Sequence, residues 1–182
     1  MRSSGRRNQL GYTRTSDEQV FEVKMSVDDV REVHEWLDPV EQLAWRRMLR
    51  TNGLLLNRLD AELWAAHSMT LAEYEVLVHL SEAEGDELRM STLAELAMVS
   101  RSGLTRRVES MASRGLVSKE ICPSDRRGMI AHLTDLGRRR LEEAVPTHVA
   151  GVRRFLLAGL SKREVAQLAH LLEAPLARLE RP

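Results

Sequence analysis

A single cysteine, Cys122, leaves no partner for a disulfide within the chain and no basis for a cysteine-rich metal site. It fits a protein kept in the reducing cytoplasm, the expected location. Five prolines and ten glycines in 182 residues are too few for a collagenous or low-complexity chain. No apolar run approaches the roughly 18–20 residues that span a bilayer, so no membrane partner is expected. The basic stretch Met1 to Gly11 has no apolar segment behind it, which argues against a secretory signal. The six histidines are scattered, and His67, His79, His132, His148 and His170 show no tight ligand spacing with another His or with the cysteine. No metal and no cofactor is expected. A Ser-His-Asp set, paired acids in a suitable context and a Gly-rich phosphate loop are all missing, so the chain does not read as an enzyme.

Net charge is missing too, with 27 basic and 27 acidic side chains, yet the sum hides a segregation. Residues 38–99 hold 5 basic and 11 acidic groups, whereas residues 100–140 hold 10 basic and 4 acidic ones. Fields follow where charges sit, not their total, so a nucleic-acid partner stays open. Aromatics make up only 4% and Leu, Ala, Arg and Glu abound, a mixture that favours helices.

Residues 1–37 read as an N-terminal extension: a polar arm followed by a short helix that Ser26 caps. Asp38-Pro39 then starts a long helix running to about residue 66, a cap residue followed by proline at the first helical position. Leu43, Leu49, Leu56, Leu59 and Leu63 recur on it at helical spacing, as do Trp45, Met48 and Leu55, so it should pack on two sides. Capping boxes at Thr70–Glu73, Thr92–Glu95 and Ser161–Glu164 open helices near 71–84, 93–98 and 162–180. Ser100 caps another over 101–113, ended by Gly115. Residues 116–122 and 129–133 read as two strands around a Pro123–Gly128 turn. Thr134 caps a helix reaching about residue 158, which Pro146 should kink or split.

Two short adjoining helices followed by a basic hairpin form the plan of a winged helix-turn-helix. The second helix, 101–113, turns Leu104, Val108 and Met111 to the core and leaves Arg101, Ser102, Thr105, Arg106 and Glu109 largely outward. Such a helix fits the DNA major groove, and the hairpin tip Asp125-Arg126-Arg127 can put an arginine into the minor groove. The fold class expected is mainly α with a small two- or three-stranded β-wing. It comprises helical regions at 38–66 and 140–182, to which the family resemblance given next assigns dimerisation, and a DNA-binding lobe at 67–139.

From Thr70 to about Leu172 the chain resembles the MarR family of bacterial transcription regulators. The matching residues are Leu71-Ala72-Glu73-Tyr74, Leu93-Ala94-Glu95-Leu96-Ala97, Val99-Ser100-Arg101-Ser102, Thr105-Arg106, Leu116-Val117, Asp125-Arg126-Arg127 and Leu133-Thr134-Asp135-Leu136-Gly137. The resemblance implies a homodimer with the first long helix and the two last helices of each chain interleaved. It also implies a palindromic double-stranded DNA operator, a repressor, and release by a small-molecule effector or by oxidation. Ser102, Thr105 and Arg106 match recognition-helix positions, with Arg101 and Arg107 beside them. Asp125 and Arg127 match the wing-tip pair. The first 37 residues exceed the usual short lead of the family.

Trp45, Met48, Trp64, His67 and Tyr74 are candidates for an effector pocket, or for plain core. Cys122 on a wing strand reads as a small half-buried residue rather than a redox sensor. Arg138-Arg139-Arg140 reads as a solvated helix face. The alternative to a DNA-binding regulator is a winged-helix protein-interaction module without DNA specificity; the retained Arg106, Arg126 and Arg127 speak against it.

Overall fold

The computed structural model describes residues 36–122, 125 and 128–180. The expected helix over 26–37 and the tip residues Arg126 and Arg127 therefore lie outside the described residues, the helix but for its last two positions. The chain divides into two compact units, Met1–Met48 and Leu49–Pro182.

In the first unit the described residues open helix α1, Pro39–His67, which continues into the second. Asp38 is its cap, as the Asp-Pro pair implied. Its Oδ1 accepts the Val40 and Glu41 amides at 2.6 and 2.9 Å, and its own amide donates to Glu41 Oε2 at 2.8 Å. Three of the orphan groups at the helix start are thus satisfied locally.

The second unit holds the rest of α1 and then α2 (Leu71–Glu82), a 3-10 turn (Glu84–Asp86) and β1 (Glu87–Arg89). Next come α3 (Met90–Leu96), α4 (Arg101–Ser113), β2 (Val117–Ile121), β3 (Met129–Leu133), α5 (Asp135–Val152) and α6 (Lys162–Leu179). The three strands form one antiparallel sheet in the order β1-β3-β2. β3 is central, with Leu88 opposite Ala131 and Lys119 opposite Ala131 from the other side. The fold class is as expected, and β1 makes the wing three-stranded. Its three residues are too short to show alternation; pairing with β3 is what makes Glu87–Arg89 a strand.

One core joins α1 through α5 with the sheet, and α6 adds no buried residue to it. Leu63, Val76, Leu77, Leu80, Leu93, Leu104, Val108, Met111 and Ala131 are wholly buried in it. On α1 only Leu59 and Leu63 are buried; Leu49, Leu56 and Trp64 stay exposed, so one apolar side of the helix is uncovered within a single chain. Gly53, expected either to weaken α1 or to admit a close neighbour, has nothing within 4 Å of its Cβ position.

Capping organises the helix starts. Thr70 and Glu73 exchange hydrogen bonds at 3.2 and 3.0 Å, and Ser161 and Glu164 at 3.3 and 2.8 Å. The box expected at Thr92 does not form. α3 begins earlier, at Met90, with no side-chain cap, because β1 delivers the chain directly into its first turn. Pro146 does not split its helix: α5 runs through it to Val152, and the departure from α geometry is a π-helical turn at Arg153–Leu157.

Two glycines permit close approaches. A Cβ on Gly137 would lie 2.0 Å from the Leu116 carbonyl oxygen, and one on Gly151 2.7 Å from Leu59 Cδ2. Gly137 lets the first turn of α5 press on the start of β2. There the Thr134 hydroxyl bridges the Gly115 and Leu116 carbonyls at 2.7 and 3.0 Å and accepts the Gly137 amide at 3.0 Å. Gly151 lets α5 pack flush on α1. The same pair of helices is held by Arg140 to the His67 carbonyl at 2.5 Å and by His67 Nε2 with Thr147 Oγ1 at 2.8 Å, and Arg154 of the following π-helical turn reaches Glu62.

Candidate nucleic-acid interface

α3 and α4 are joined by Ala97–Ser100. The Val99 amide bonds the Ala94 carbonyl at 3.1 Å, and Met98 takes a left-handed φ of 51°, which lets the chain reverse in four residues. Ser100 then caps α4 by accepting the Gly103 amide at 3.1 Å. The apolar residues Leu104, Val108 and Met111 anchor α4 with no exposed surface, as their spacing required. Arg101, Ser102, Thr105 and Arg106 stand exposed on the other side, and Arg107 is half-buried. The Thr105 hydroxyl donates to the Arg101 carbonyl at 2.9 Å, which fixes its rotamer.

The C-terminal end of α4 is tied back to α2. Glu73, buried to 8% exposure, meets the Arg114 guanidinium, which also donates to the Ser68 carbonyl at 3.3 Å. The helix is therefore fixed at its far end by an ion pair from an exposed arginine to a buried glutamate and at its near end by a serine cap.

Beside α4 lies a concavity of about 640 Å³. Arg101, Thr105 and Glu109 form one wall, Arg89, Met90 and Ser91 another, and Lys119, Asp125, Gly128 and Met129 of the wing a third. Lys119 Nζ lies 3.6 Å from Glu109 Oε1, and Arg89 Nη1 3.9 Å from Asp125 Oδ2. The loop base is closed by Cys122 and Gly128, whose amide and carbonyl bond at 2.9 Å. Asp125 thus faces Arg89. Sequence reasoning placed neither Arg89 nor Lys119 in the site. Arg89 sits in the acidic block, and only the unforeseen strand β1 brings it here. Lys119 follows from strand alternation, which puts it on the same side of β2 as the buried Val117 and hence toward α4.

The arginine run on α5 divides. Arg138 pairs with Asp86 at 2.5 Å and Arg140 serves the His67 carbonyl, so both are structural fasteners rather than a solvated face; Arg139 is exposed. Cys122 is 3% exposed, more fully buried than its sequence position suggested.

Of the effector-pocket candidates in the second unit, Tyr74 lines a cavity and Trp64 and His67 do not. In the second unit Trp64 is 57% exposed on α1, while His67 is engaged with Thr147. Tyr74 is buried and stacks on His148, ring centroids 4.5 Å apart. A separate concavity of about 350 Å³ is lined by Tyr74, Val78, His79, Leu96, Met98 and His148 among others. Neither Trp64 nor His67 is in its wall. Trp45 and Met48 lie in the first unit and are exposed there. Burial holds His148 below its ordinary value of 6.5, against the pull of Glu75, and its Nδ1 is buried without a hydrogen-bond partner. Burial, and then Glu82, pushes the Tyr74 phenol above 10.0. No group of three or more potential metal ligands occurs among the described residues, and none of their helices is long and apolar enough to cross a membrane.

Comparison with known proteins agrees with this geometry. A family model described as the MarR family matches residues 67–128. The HTH-type transcriptional repressor YetL of Bacillus subtilis is 25% identical over 97 residues, which make up 53% of this chain and 58% of YetL. The uncharacterized HTH-type transcriptional regulator YkoM of the same species is 31% identical over 107 residues, 59% of this chain and 68% of YkoM. The chain thus spans little more than half the length of YetL. Among solved structures, AbsC, a MarR family transcriptional regulator from Streptomyces coelicolor, is 40% identical with a TM-score of 0.74. That match covers 80% of this chain and 98% of AbsC. Sco3205, a MarR family regulator from the same organism solved in complex with DNA, is 34% identical with a TM-score of 0.76, over 81% of this chain and 92% of Sco3205. With its helix-turn-helix, its three-stranded wing and these relatives, the chain belongs to the MarR family of transcriptional regulators.

Proposed function

We propose that the protein is a sequence-specific regulator that binds double-stranded DNA as a homodimer in the cytoplasm. The observation that carries this reading is the division of α4: three fully buried apolar anchors behind an exposed face of Arg101, Ser102, Thr105 and Arg106. A helix so mounted can enter a major groove, where guanidinium groups read guanine or hold phosphate and hydroxyl groups read either partner. Asp125, Arg126 and Arg127 form the wing's contribution, with Arg127 the finger for the adjacent minor groove.

The dimerisation region comprises residues 38–66 and 140–182, and the DNA-binding lobe 67–139. In support, Val165, Leu168, Leu172, Leu176 and Leu179 form a stripe along α6, of which Leu172, Leu176 and Leu179 are 47%, 55% and 84% exposed. An uncovered stripe of this kind marks a protein contact, and a second copy supplies a matching one. The operator of a two-fold dimer is a palindrome with half-sites about 34 Å apart. Repression is the action named for YetL, and we extend it to this chain. A small-molecule effector is assigned to the cavity beside Tyr74 and His148, whose apolar walls and unpartnered imidazole nitrogen suit a partly polar ligand.

A mobility-shift experiment on DNA flanking its own gene, at near-physiological salt, tests the proposal. A discrete complex that survives excess unrelated duplex is expected. Equal competition by all duplexes would favour a protein-interaction module instead.

A further inference from the structure

Helix α1 ends at His67, and residues 68–70 turn the chain into α2. Ser68 takes a left-handed φ of 50°, and Met69 beside it is wholly buried. The last carbonyls of a helix have no partner within it and carry the negative end of its dipole. Here two arginines from other elements supply the partners. Arg140 of α5 donates to the His67 carbonyl at 2.5 Å. Arg114, the residue that ends α4, donates to the Ser68 carbonyl at 3.3 Å. Arg114 also pairs with Oε1 of the buried Glu73, whose Oε2 accepts the Thr70 amide at 3.0 Å and so closes the start of α2. Across the corner the Leu71 amide donates to Asp60 Oδ1 of α1 at 2.8 Å. One short turn is thus bonded to both long helices and to the end of α4.

We propose that Arg114 is a positioning residue for DNA: it sets the tilt of α4 against α1, and with it the half-site spacing that a dimer can read. The proposal rests on the homodimeric DNA-binding reading and adds to it the contact that fixes its geometry. Leu59 and Leu63 attach α1 to the lobe by burial. Apolar burial is non-directional, so by itself it tolerates a change of angle. A planar guanidinium that holds a carboxylate on one nitrogen and a carbonyl on the other is directional.

The leverage is large. At 13 residues α4 is about 20 Å long. A pivot of about 10° around its Arg114 end carries the opposite end, with Arg101 and Ser102, about 3.5 Å. That is roughly the rise of one base pair along DNA, about 3.4 Å. Arg114 stands at the far end of α4 from those residues, and Glu73 on α2. Both therefore act on spacing without reading bases.

The test uses the full chain and a series of duplexes in fluorescence anisotropy. The series takes the selected operator and adds or removes one or two base pairs between its half-sites, and a duplex with one half-site completes it. Wild type should bind the native spacing at least about tenfold more tightly than any other. Arg114→Met combined with Glu73→Gln removes both charges, so no unpaired carboxylate stays buried, and the glutamine can still accept the Thr70 amide. This double variant should bind the single half-site like wild type. Its spacing preference should flatten to about threefold or less, or move its optimum by about one base pair. Arg114→Lys keeps the charge against Glu73 but not the planar fork, and its profile should fall between the two. Thermal unfolding reports which variants are folded. A uniform loss at every spacing, with wild-type ratios kept, is what a merely stabilising ion pair would give, and it would overturn the inference. Wild-type ratios in Arg114→Lys would do the same, and that variant decides where the double one does not fold. A wild-type protein that binds no duplex, or all spacings alike, would instead overturn the dimeric DNA-binding reading beneath it.

Discussion

Gly137 and His148 show how much of the molecule turns on single side chains. A methyl group on Gly137 would stand 2.0 Å from a backbone oxygen that neither Thr134 nor β2 can release cheaply. Gly137→Ala should therefore destabilise the protein by several kcal/mol, about the cost of a severe overpacking. A urea unfolding curve would show it, and a midpoint within error of wild type would mean that α5 is free to shift. His148 is held below its ordinary value by burial. The unfolded chain then binds more protons than the folded one as pH falls below about 6.5. This group's contribution to stability is full above that pH and declines as pH drops toward the folded value. His148→Phe keeps a ring against Tyr74 and removes the titration. The stability lost between pH 7.5 and 5.5 should be smaller in the variant. An equal loss in both proteins would assign the pH dependence elsewhere.

Helix α4 is the element most legible from sequence. Its cap at Ser100, its anchors at Leu104, Val108 and Met111 and its end before Gly115 all lie where local spacing puts them. Helical periodicity and capping chemistry are short-range, and α4 is decided by short-range terms. The start of α3 and the strand β1 are decided instead by partners about 40 residues away on β3, which no local pattern reveals. The place of Arg89 is hidden for the same reason: it borders the concavity beside α4 only once β1 has paired with β3. The proline at 146 misleads in the other direction. Its lost hydrogen bond is outweighed where α5 is clamped to α1 through Thr147 and Gly151. Within α4 the exposed face and the buried face should respond differently to change. Ser102→Ala and Thr105→Val should alter which duplex sequences are preferred more than they alter affinity for unrelated DNA. Selection from a random duplex pool with each variant reads this out, and identical selected sites would remove those two positions from base reading.

For the molecule as a whole, the uncovered stripe of α6 and the exposed apolar residues of α1 leave too much hydrocarbon in water for a solitary chain. The proposed homodimer would cover it. Leu172→Glu combined with Leu176→Glu places four carboxylates in the shared interface of a dimer and none in the core of one chain. Sedimentation equilibrium should show wild type as a dimer and the double variant shifted to monomer with its helical content kept. A variant that stays dimeric would move the interface off α6. The two lobes of such a dimer then set the distance between their α4 helices. An effector that favours a different distance opposes DNA by the same coupling energy with which DNA opposes it.

Hydroxyl-radical footprinting of the wild-type protein on its preferred duplex joins all of these levels. It should show two protected patches related by two-fold symmetry, with centres about 10 base pairs apart or a multiple of that, each patch flanking a major groove. A single patch, patches without symmetry, or uniform protection along the duplex would contradict a paired α4 reading successive turns.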